Sequence, residues 1–366
     1  MGPKAKVKGK AKGKAKKGKP KVKSKSKSSK GGGDCKAFPM EKGPTPSTLE
    51  PSEISRLYKI PKGKLKTEED VVESNNYKLE DKLGEGGFAI VYFARNKKSN
   101  EKHACKVMKL GAEWSSSRVE DMKNELFIME KVKHLYIVKL MHHFLTQSKE
   151  NGIRLYIFME LADGGDFAKF CQKKGALTED ECKKYFAQII CGINHMHSLG
   201  IAHRDIKLQN VLLVKNEKSI SGDFTLLVSD FGLSRIMHHD SAGGIQMNRT
   251  ICGTPIFMAP EILLRKPYSG FLVDVWALGI TLYIMMTLQL PFNFRNKDQA
   301  IKDMVAKKWE WPTSKMKASP SNDLKNYLSG MLDPDPTKRL DMSGISNHKW
   351  ETQQFKKAQV MANKKG

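Results

Sequence analysis

The sequence of 366 residues predicts an α+β fold in two parts, a small β-sheet with one inserted helix and a larger, mainly helical part. Two observations lead to this prediction. Short β-prone segments separated by turns follow residue 76, whereas apolar residues at helical spacing dominate after residue 178. The length suits one large domain of two lobes, or two or three smaller packed units.

The first part contains five predicted strands. YKLEDKLG, FAIVYFAR and KHACKVMK follow one another from Tyr77, with turns between them. The next segment, SSRVEDMKNELFIMEKVKH, has helical periodicity, and IVKLMHHF and RLYIFMEL then have the composition of two further strands. The sequence therefore predicts a helix inserted between the third and the fourth strand.

The second part opens with a helix-start signal. Thr178 and Glu181 have the spacing of a capping box, in which each residue satisfies a backbone N–H of the other. The apolar residues that follow share one helical face: Cys182, Tyr185, Phe186, Ile189, Ile190, Ile193 and Met196. Further helices are predicted at 270–288, 297–306, 321–331 and 342–350.

The apolar stretch 271–292 is the segment that most resembles a membrane span. Four polar residues interrupt it: Asp274, Thr281, Thr287 and Gln289. Its uninterrupted apolar run is therefore shorter than the roughly 20 residues that a bilayer requires. We predict a buried helix at this position and no membrane span.

The net charge of +25 is unevenly distributed. Residues 1–30 contain 14 lysines, no acidic residue and almost no large apolar side chain, which predicts a disordered Lys-rich tail. Such a tail attracts nucleic acid or an acidic partner, although a solvated tail with weak contacts is an equally good interpretation. A Gly-, Pro- and Ser-rich linker is predicted at 31–74, and a basic, frayed C-terminal tail at 353–366.

The N-terminal residues and the cysteines indicate in which cellular compartment the protein resides. No apolar segment follows the basic N-terminal residues, as a secretory signal would require. None of the cysteines forms a C-x-x-C pair: Cys35, Cys105, Cys171, Cys182, Cys191 and Cys252. Lone cysteines fit a reducing compartment and ordinary core packing. We expect an intracellular protein that is cytoplasmic, nuclear or both.

The glycine turn LGEGGFAIV carries the first functional signal. Gly84, Gly86 and Gly87 lie between two predicted strands, not between a strand and a helix, which argues against a Rossmann dinucleotide site. A hairpin tip can bring backbone amides close to phosphates, although a plain tight hairpin would look the same. Ala89 occupies the third small position of the Gly-x-Gly-x-x-Gly pattern.

A lysine in the middle of a strand carries the second signal. Lys106 stands between Cys105 and Val107, where a central strand normally has an apolar side chain. A buried lysine requires an anionic partner, and Glu125 on the predicted helix can supply it. The ammonium group would then remain available to nucleotide phosphates.

Three further motifs follow in order along the chain: HRDIKLQN at 203–210, SDFG at 229–232 and CGTPIFMAPE at 252–261. From about Tyr77 to Trp350, the chain resembles the eukaryotic protein-kinase family. The segments VDVWALGI, with Asp274, and DPDPTKRL, with an arginine that pairs with a glutamate of the preceding motif in the family, agree with this resemblance.

The resemblance implies a bilobal protein-kinase fold over 75–352, with ATP and Mg²⁺ as the bound groups. By this resemblance the catalytic residues are Asp205 as base, Lys207 on the γ-phosphate, and Asn210, which would hold magnesium together with Asp230. The remaining ATP-binding residues that it implies are Leu83, Gly84, Glu85, Gly86, Gly87, Val91, Ala104, Lys106, Glu125, Met159, Glu160, Ala162, Asp166 and Leu212.

The motifs also indicate substrate class and control. The Asp205-Ile-Lys207 sequence and the threonine before Pro255 resemble Ser/Thr kinases, and the nearest group is the calcium/calmodulin-dependent one. Gln209 stands where many arginine-directed kinases have glutamate. Calmodulin is retained as a predicted partner, although no EF-hand loop is present. Thr250 is the predicted activation-loop phosphosite.

Two arginines are candidates for binding a phosphate on that threonine, Arg204 and Arg235. Three function classes remain open from the sequence. The first is an active kinase that phosphorylates protein Ser/Thr residues, and the second is a pseudokinase scaffold. The third is a chromatin or RNA binder in which the Lys-rich tail is primary. The complete set of motif residues favours the first.

Overall fold

The computed structural model describes residues 72, 76–86, 89–110, 116–148, 152–215, 224–237, 246–312, 314 and 316–365. Within these residues the strands are β1 (Tyr77–Glu85), β2 (Ala89–Asn96), β3 (Lys102–Leu110), β4 (Leu140–Ser148), β5 (Gly152–Glu160), β6 (Ile201–Ala202), β7 (Val211–Lys215), β8 (Phe224–Val228) and β9 (Arg235–Ile236). The helices are α1 (Ser116–Lys131), α2 (Phe167–Lys174), α3 (Glu179–Ser198), α4 (Pro260–Leu263), α5 (Gly270–Thr287), α6 (Lys297–Val305), α7 (Asn322–Met331), α8 (Met342–Asn347) and α9 (Thr352–Lys365).

The N-terminal lobe is a five-stranded sheet in the order β1-β2-β3-β5-β4, with every neighbouring pair antiparallel. The helix α1 lies between β3 and β4 in the chain, so the predicted sheet with one inserted helix is confirmed. The fourth strand was predicted to begin at Ile137 but begins at Leu140. Ile137 instead forms a parallel bridge with Val228 of β8 in the other lobe, because the flanking groups Tyr136 O and Val138 N bond to the backbone of Val228.

The sheet buries apolar residues on both faces. One face and α1 contribute to the main core, whereas the other carries a separate cluster around Tyr77 and Phe158, whose rings stack at 4.0 Å. Val72 is 3 % exposed and belongs to this second cluster. The predicted linker at 31–74 therefore ends too late, since Val72 already packs on the sheet. The remainder of that linker and the predicted tail at 1–30 lie outside the described residues.

The C-terminal lobe is mainly helical, as predicted, and α3 runs through it. Thr178 Oγ1 accepts from Glu181 N at 3.2 Å, while Glu181 Oε2 accepts from Thr178 N at 2.8 Å, so the predicted capping box is present. All seven apolar residues predicted on one face of this helix are buried. The hairpin β7–β8 lies at the cleft between the lobes, where Leu212 of β7 and the residues Ser229 to Phe231 directly after β8 line the cavity. The short pair β6–β9 joins the catalytic-loop segment to the residues that follow the SDFG motif.

Helix α5 has the length and composition to cross a membrane, but nearly all its residues are buried within the C-terminal lobe. The interpretation of this stretch as a buried helix is therefore confirmed. Arg339 packs over the ring of Trp276 and donates to both carboxylate oxygens of Glu261 at 2.7 and 2.9 Å. This buried ion pair joins the end of the motif at 252–261 to the connection between α7 and α8.

The C-terminal residues differ from their prediction. They form helix α9, and Phe355, Ala358 and Ala362 are buried where this helix contacts α3. The expectation of a frayed tail at 353–366 was wrong because these three residues recur at helical spacing and form an apolar stripe between lysines. Helix α8 ends at Asn347, earlier than predicted, because His348 adopts an extended conformation with ψ 136°.

Candidate active site

A cavity of about 480 Å³ lies between the sheet and the helical lobe. Thirteen of the fifteen residues predicted to bind ATP line it: Leu83, Gly84, Gly86, Val91, Ala104, Lys106, Glu125, Met159, Glu160, Ala162, Asp166, Leu212 and Asp230. Glu85 does not line the cavity, because its carboxylate pairs with Lys82 on the exposed side of the hairpin. Gly87 lies outside the described residues. The volume is within the range of about 300–1,000 Å³ typical of small-molecule sites.

The glycine turn forms the roof of the cavity at the tip of the β1–β2 hairpin. Gly86 N donates to Ala89 O at 2.8 Å and closes the turn. A Cβ added at Gly84 would meet no atom within 4 Å, and one at Gly86 would meet only Ala89 O at 3.8 Å. Packing within the described part of the chain therefore does not require glycine at these positions. The space that they leave open is free for a ligand to approach the backbone.

The strand β5 supplies the far wall and leads into the connection between the lobes. Glu160 N donates to Lys139 O at 2.9 Å, so this N–H already has a partner within the protein. Burial raises the pKa of the Glu160 carboxyl above its usual value. Asp166 caps α2 and forms an ion pair with Lys169 at 3.1 Å, so its carboxylate already has protein partners.

Lys106 and Glu125 meet inside the cleft, as the sequence predicted. Lys106 Nζ lies 2.6 Å from Glu125 Oε1, and only 6 % of the Glu125 side chain is exposed. Burial alone would lower the pKa of Lys106, but the negative charges of Glu125 and Asp230 and the hydrogen bond to Glu125 outweigh burial and raise it. The ammonium group is therefore charged: Glu125 binds it directly, and the negative charge of Asp230 stabilises it further.

The catalytic-loop residues form a hydrogen-bonded cluster around Asp205. Lys207 Nζ donates to Asp205 Oδ2 at 2.7 Å and to Thr254 Oγ1 at 2.9 Å. The hydroxyl and the N–H of Thr254 both donate to Asp205 Oδ1, at 2.9 and 3.0 Å. Burial would raise the pKa of Asp205, but the hydrogen bonds from Lys207 and Thr254 and the charge of Lys207 lower it below its usual value. Asp205 is therefore an ionised, oriented acceptor.

Asn210 connects this cluster to Asp230. Asn210 Nδ2 donates to Asp205 O at 2.9 Å and to Asp205 Oδ2 at 3.1 Å, which leaves the amide oxygen for another partner. Asn210 O in turn accepts from both the N–H and the hydroxyl of Ser229, the residue before Asp230. A carboxylate and an amide oxygen are ligands that Mg²⁺ prefers, so these residues fit the predicted metal site.

Asp274 of α5 fixes the backbone conformation of the catalytic loop, the motif at 203–210. This fully buried carboxylate accepts from His203 N at 2.8 Å, from Arg204 N at 2.7 Å and contacts His197 Nε2 at 2.8 Å. Arg204 and Asp230 both have positive φ, 64° and 66°. Such conformations are unfavourable for residues other than glycine and persist only where surrounding contacts enforce them, and they cluster at functional sites.

Sequence reasoning missed part of the cavity lining. The additional residues are Ala89, Met129, Val138, Leu161, Gly165, Lys169, Gln209, Ser229 and Phe231. Met129 follows Glu125 by four residues on α1, so the i, i+4 rule could have placed it on the same helix face. Val138 could not be found in this way, because only the bridge between the lobes brings it to the cavity.

The predicted phosphate clamp is not assembled around Thr250 in this structure. Thr250 is exposed, Arg204 Nε donates to Leu233 O at 2.8 Å, and Arg235 pairs with Asp121 of α1. Tyr268 links Thr250 to Arg204, since its hydroxyl donates to Thr250 O at 2.6 Å and also interacts with the Arg204 side chain. The side chains of both arginines therefore bond to groups other than Thr250 in this structure.

The bilobal fold and its cleft, with a lysine–glutamate pair facing a cluster of catalytic polar residues, define a chain of protein-kinase architecture. A model of the protein kinase domain matches residues 77–351. The chain therefore belongs to the protein kinase family, whose members use ATP and Mg²⁺. The resemblance predicted from the ordered motifs is confirmed.

Curated relatives agree with this assignment. CBL-interacting protein kinase 28 of Oryza sativa subsp. japonica is 36 % identical over 284 residues, which cover 77 % of this chain and 60 % of the relative. CBL-interacting serine/threonine-protein kinase 20 of Arabidopsis thaliana is 34 % identical over 291 residues, or 79 % of this chain and 62 % of the relative. The match thus spans about three-fifths of their length. Kinases of this kind belong to the calcium/calmodulin-dependent-kinase-related group, as predicted.

Proposed function

We propose that this protein is a serine/threonine kinase that transfers the γ-phosphate of Mg-ATP to Ser and Thr hydroxyls of protein substrates. The observation that carries the proposal is the cluster in which Asp205 is bound by Lys207, Thr254 and Asn210. A nucleotide cavity alone would also fit a binding scaffold. An ionised carboxylate that is oriented by four donors, beside that cavity, is suited to accepting a proton.

The nucleotide side of the reaction is assigned to the inner end of the cavity. The charge of Lys106 would bind the α- and β-phosphates, and Glu125 holds its ammonium in place. The open backbone at Gly84 and Gly86 would approach the phosphates from above. Apolar side chains at Val91 and Leu212 line the cavity and suit the faces of an adenine ring.

The chemical step is assigned to the Asp205 cluster. The substrate hydroxyl oxygen attacks the γ-phosphorus, its proton passes to Asp205, and the bond from the γ-phosphorus to the bridging oxygen breaks to release ADP. Lys207, already 2.7 Å from Asp205, would neutralise charge on the transferring group. Magnesium, held by Asn210 and Asp230, would supply charge neutralisation between the phosphates.

The pseudokinase alternative is disfavoured by the paired residues. A scaffold has no need to keep the ion pair between Lys106 and Glu125, or to hold Arg204 and Asp230 at positive φ. A protein that has lost transfer activity would be free to relax these conformations, because each costs on the order of 1–3 kcal/mol.

Transfer of labelled γ-phosphate to a Ser/Thr peptide library tests the proposal, with wild type beside Asp205→Asn. We expect transfer by the wild type, a loss of about a thousandfold or more in the variant, and a sequence preference read from the library. Asp180→Asn is the matched control and should equal the wild type, since it makes the same change at a side chain that is 97 % exposed at the start of α3. Absence of transfer by a wild type phosphorylated at Thr250 would favour the scaffold.

Regulation by phosphorylation of Thr250 is part of the proposal. Its side chain is exposed, so a protein kinase can reach it, and a phosphate there could draw Arg204 and Arg235 from their present partners. We expect wild type phosphorylated at Thr250 to be about tenfold more active than Thr250→Ala, and unphosphorylated wild type to be as active as the variant. Equal activity of phosphorylated wild type and variant would exclude this switch.

The Lys-rich tail at 1–30 lies outside the described residues, and its role stays a prediction. Nucleic acid or an acidic protein is the expected partner, and a cytoplasmic or nuclear location goes with it. Deletion of 1–30 tests both. If the tail is a dedicated binding arm, its deletion should remove a strongly salt-dependent affinity of the protein for nucleic acid and change the location of the protein. Unchanged affinity and location would indicate that the tail is a solvated appendage.

Calmodulin and the CBL partner named for the relatives are the other regulators to consider. The basic helix α9 is the candidate segment, with Lys356 and Lys357 exposed. Its apolar residues Phe355, Ala358 and Ala362 are buried, so a regulator that takes an apolar helix face would have to displace α9 first. Titration of the full chain with each regulator, with and without Ca²⁺, measures whether either binds.

A further inference from the structure

The segment between α1 and β4, residues 132–138, joins three parts of the nucleotide site. It begins where α1 ends, with Val132 N donating to Ile128 O at 2.8 Å, and α1 carries Glu125. It ends at Val138, which lines the cavity itself. This segment, here called the α1–β4 segment, therefore lies between the helix of the ion pair and the wall of the nucleotide cavity.

The same segment is bonded to the strand that leads to Asp230. Val228 N donates to Tyr136 O at 2.9 Å, and Val138 N donates to Val228 O at 2.9 Å. Val228 is the last residue of β8 and stands two residues before Asp230. A displacement of the segment at Tyr136 and Val138 would therefore be transmitted to Asp230 through these two backbone hydrogen bonds, and to Glu125 through α1.

Helix α3 supports this segment from one side. A Cβ added at Gly192 would lie 2.9 Å from Tyr136 O and 3.3 Å from a methyl group of Val228, so the backbones meet where only glycine fits. One turn further along α3, His195 stacks on His134 with ring centroids 4.9 Å apart. The segment thus rests directly on the surface of α3.

Helix α9 closes the other side. The Tyr136 side chain is 3 % exposed, and its hydroxyl donates to Ala358 O of α9 at 3.4 Å. Cys191, the α3 residue before the close-packed glycine, lies with its Sγ 3.9 Å from Phe355 O of the same helix. Helix α9 therefore packs on the same turn of α3 as the α1–β4 segment and covers the outer end of Tyr136.

We infer that α9 is a positioning element for the nucleotide side of the site, and that it acts through the positioning residue Tyr136. Seated on α3, α9 holds the α1–β4 segment against β8 and so fixes Glu125, Val138 and Asp230 relative to one another. Among the contacts of the described residues, none joins α9 or Tyr136 to the Asp205 cluster, so we expect binding of the protein substrate to be independent of this brace. The activity readout of this inference rests on the proposed kinase function.

Two variants of the full chain test the brace. Ala358→Lys places a charged side chain at a position that is 6 % exposed, which unseats α9, whereas Met361→Lys makes the same addition on the solvent side of that helix, at 51 % exposure. We expect Ala358→Lys to raise the KM for Mg-ATP about fivefold or more and to lower kcat, with the KM for peptide changed less than about twofold. Met361→Lys should match wild type in all three constants.

Hydrogen exchange separates a loosened brace from general unfolding. In Ala358→Lys we expect faster exchange of the α1 amides and unchanged exchange of the α5 amides, which report on the C-terminal core. If Ala358→Lys does not fold, Phe355→Ala takes its place, because it removes an apolar anchor of α9 without adding charge.

A folded Ala358→Lys protein with wild-type constants for Mg-ATP and wild-type exchange in α1 would overturn the inference. Equal effects of Ala358→Lys and Met361→Lys would overturn it as well, since only one of these residues faces α3. A wild type without phosphate transfer would refute the proposed function instead. The exchange measurement does not depend on activity and would still decide whether α9 braces α1.

Discussion

Two regions of the C-terminal lobe bury carboxylates in opposite ways. Under the catalytic loop, Asp274 is fully buried, and its two oxygens are bonded to two backbone N–H groups and a histidine ring. At the start of α9, Glu351 is equally buried, but neither of its oxygens has a hydrogen-bond partner among the described residues. Burial raises the pKa of Glu351 well above its usual value.

The difference between Asp274 and Glu351 shows that a buried carboxyl group has a structural role in this protein only where its oxygens are hydrogen-bonded. A buried carboxylate with every oxygen satisfied can impose an otherwise unfavourable backbone conformation, as Asp274 does at Arg204. A buried carboxyl without partners only loses hydration, and this loss disfavours its charged form. The first arrangement fixes the backbone of the catalytic loop, whereas the second lowers stability.

The largest effect is expected from removing the satisfied carboxylate. Asp274→Ala leaves the N–H groups of His203 and Arg204 buried without acceptors and releases the catalytic loop. We expect the free energy of unfolding to fall by about 3 kcal/mol and kcat to fall by about a thousandfold. Chemical denaturation and single-turnover kinetics measure the two effects separately.

Thr281→Val is the matched control on the same helix. Its hydroxyl is buried and has no hydrogen-bond partner among the described residues, so replacement by a methyl group should leave stability equal or slightly higher. If Asp274→Ala were no more harmful than Thr281→Val, the hydrogen bonds to Asp274 would have no structural importance.

The next effect concerns a paired carboxylate at the nucleotide. Glu125→Gln keeps the shape of the side chain but removes the charge that holds Lys106. A hydrogen bond between charged groups contributes about 1.5–3 kcal/mol, so we expect kcat/KM for Mg-ATP to fall roughly tenfold to a hundredfold. Glu120→Gln on the exposed side of α1 is the control and should have no effect. Steady-state kinetics at varied Mg-ATP measures this. Equal values of kcat/KM for the two variants would show that the charge of Glu125 is not needed to hold Lys106.

The unpaired carboxyl should give an effect of opposite sign. Glu351→Met replaces it with an apolar side chain of similar size, and we expect a gain of about 1–3 kcal/mol at neutral pH. Because the pKa of Glu351 is higher in the folded than in the unfolded state, the folded protein binds more protons, and stability falls as pH rises above about 4.5.

The pH dependence of stability therefore distinguishes the Glu351 carboxyl from a solvent-exposed carboxyl. The gain of Glu351→Met should shrink toward pH 4, where the wild-type carboxyl is protonated in both states, and reach its full value above the folded-state pKa. Thermal unfolding of wild type and variant at a series of pH values measures this. A variant that is less stable than wild type at pH 7 would mean that Glu351 has a partner.

The smallest effect is expected where no buried charge is involved. Ala89→Gly restores the third glycine of the turn pattern, and we expect stability to fall by about 0.5–1 kcal/mol through added backbone freedom. The KM for Mg-ATP should change less than about twofold. Ala94→Gly, in the same strand but away from the cavity, is the control for stability. A large improvement in ATP binding by Ala89→Gly alone would show that this alanine had impaired the site.

Much of this protein follows from local sequence. The capping box at Thr178, the apolar face of α3 and the pairing of strands around the glycine turn depend on residues a few positions apart, so their geometry is nearly independent of the rest of the fold. The lysine–glutamate pair was also predictable, because a lysine in a central strand must find an anion. The order of the motifs then indicated the cleft.

Tertiary contacts decided the remainder. Thr254 completes the Asp205 cluster from 49 residues away, and Ile137 leaves its predicted strand because Val228 offers it a partner in the other lobe. Helix α9 was taken for a frayed tail, since its stripe of three apolar residues is stable only against the surface of α3. In each case the outcome depends on which distant group satisfies a backbone or buries a side chain, and that is decided only when the chain is folded.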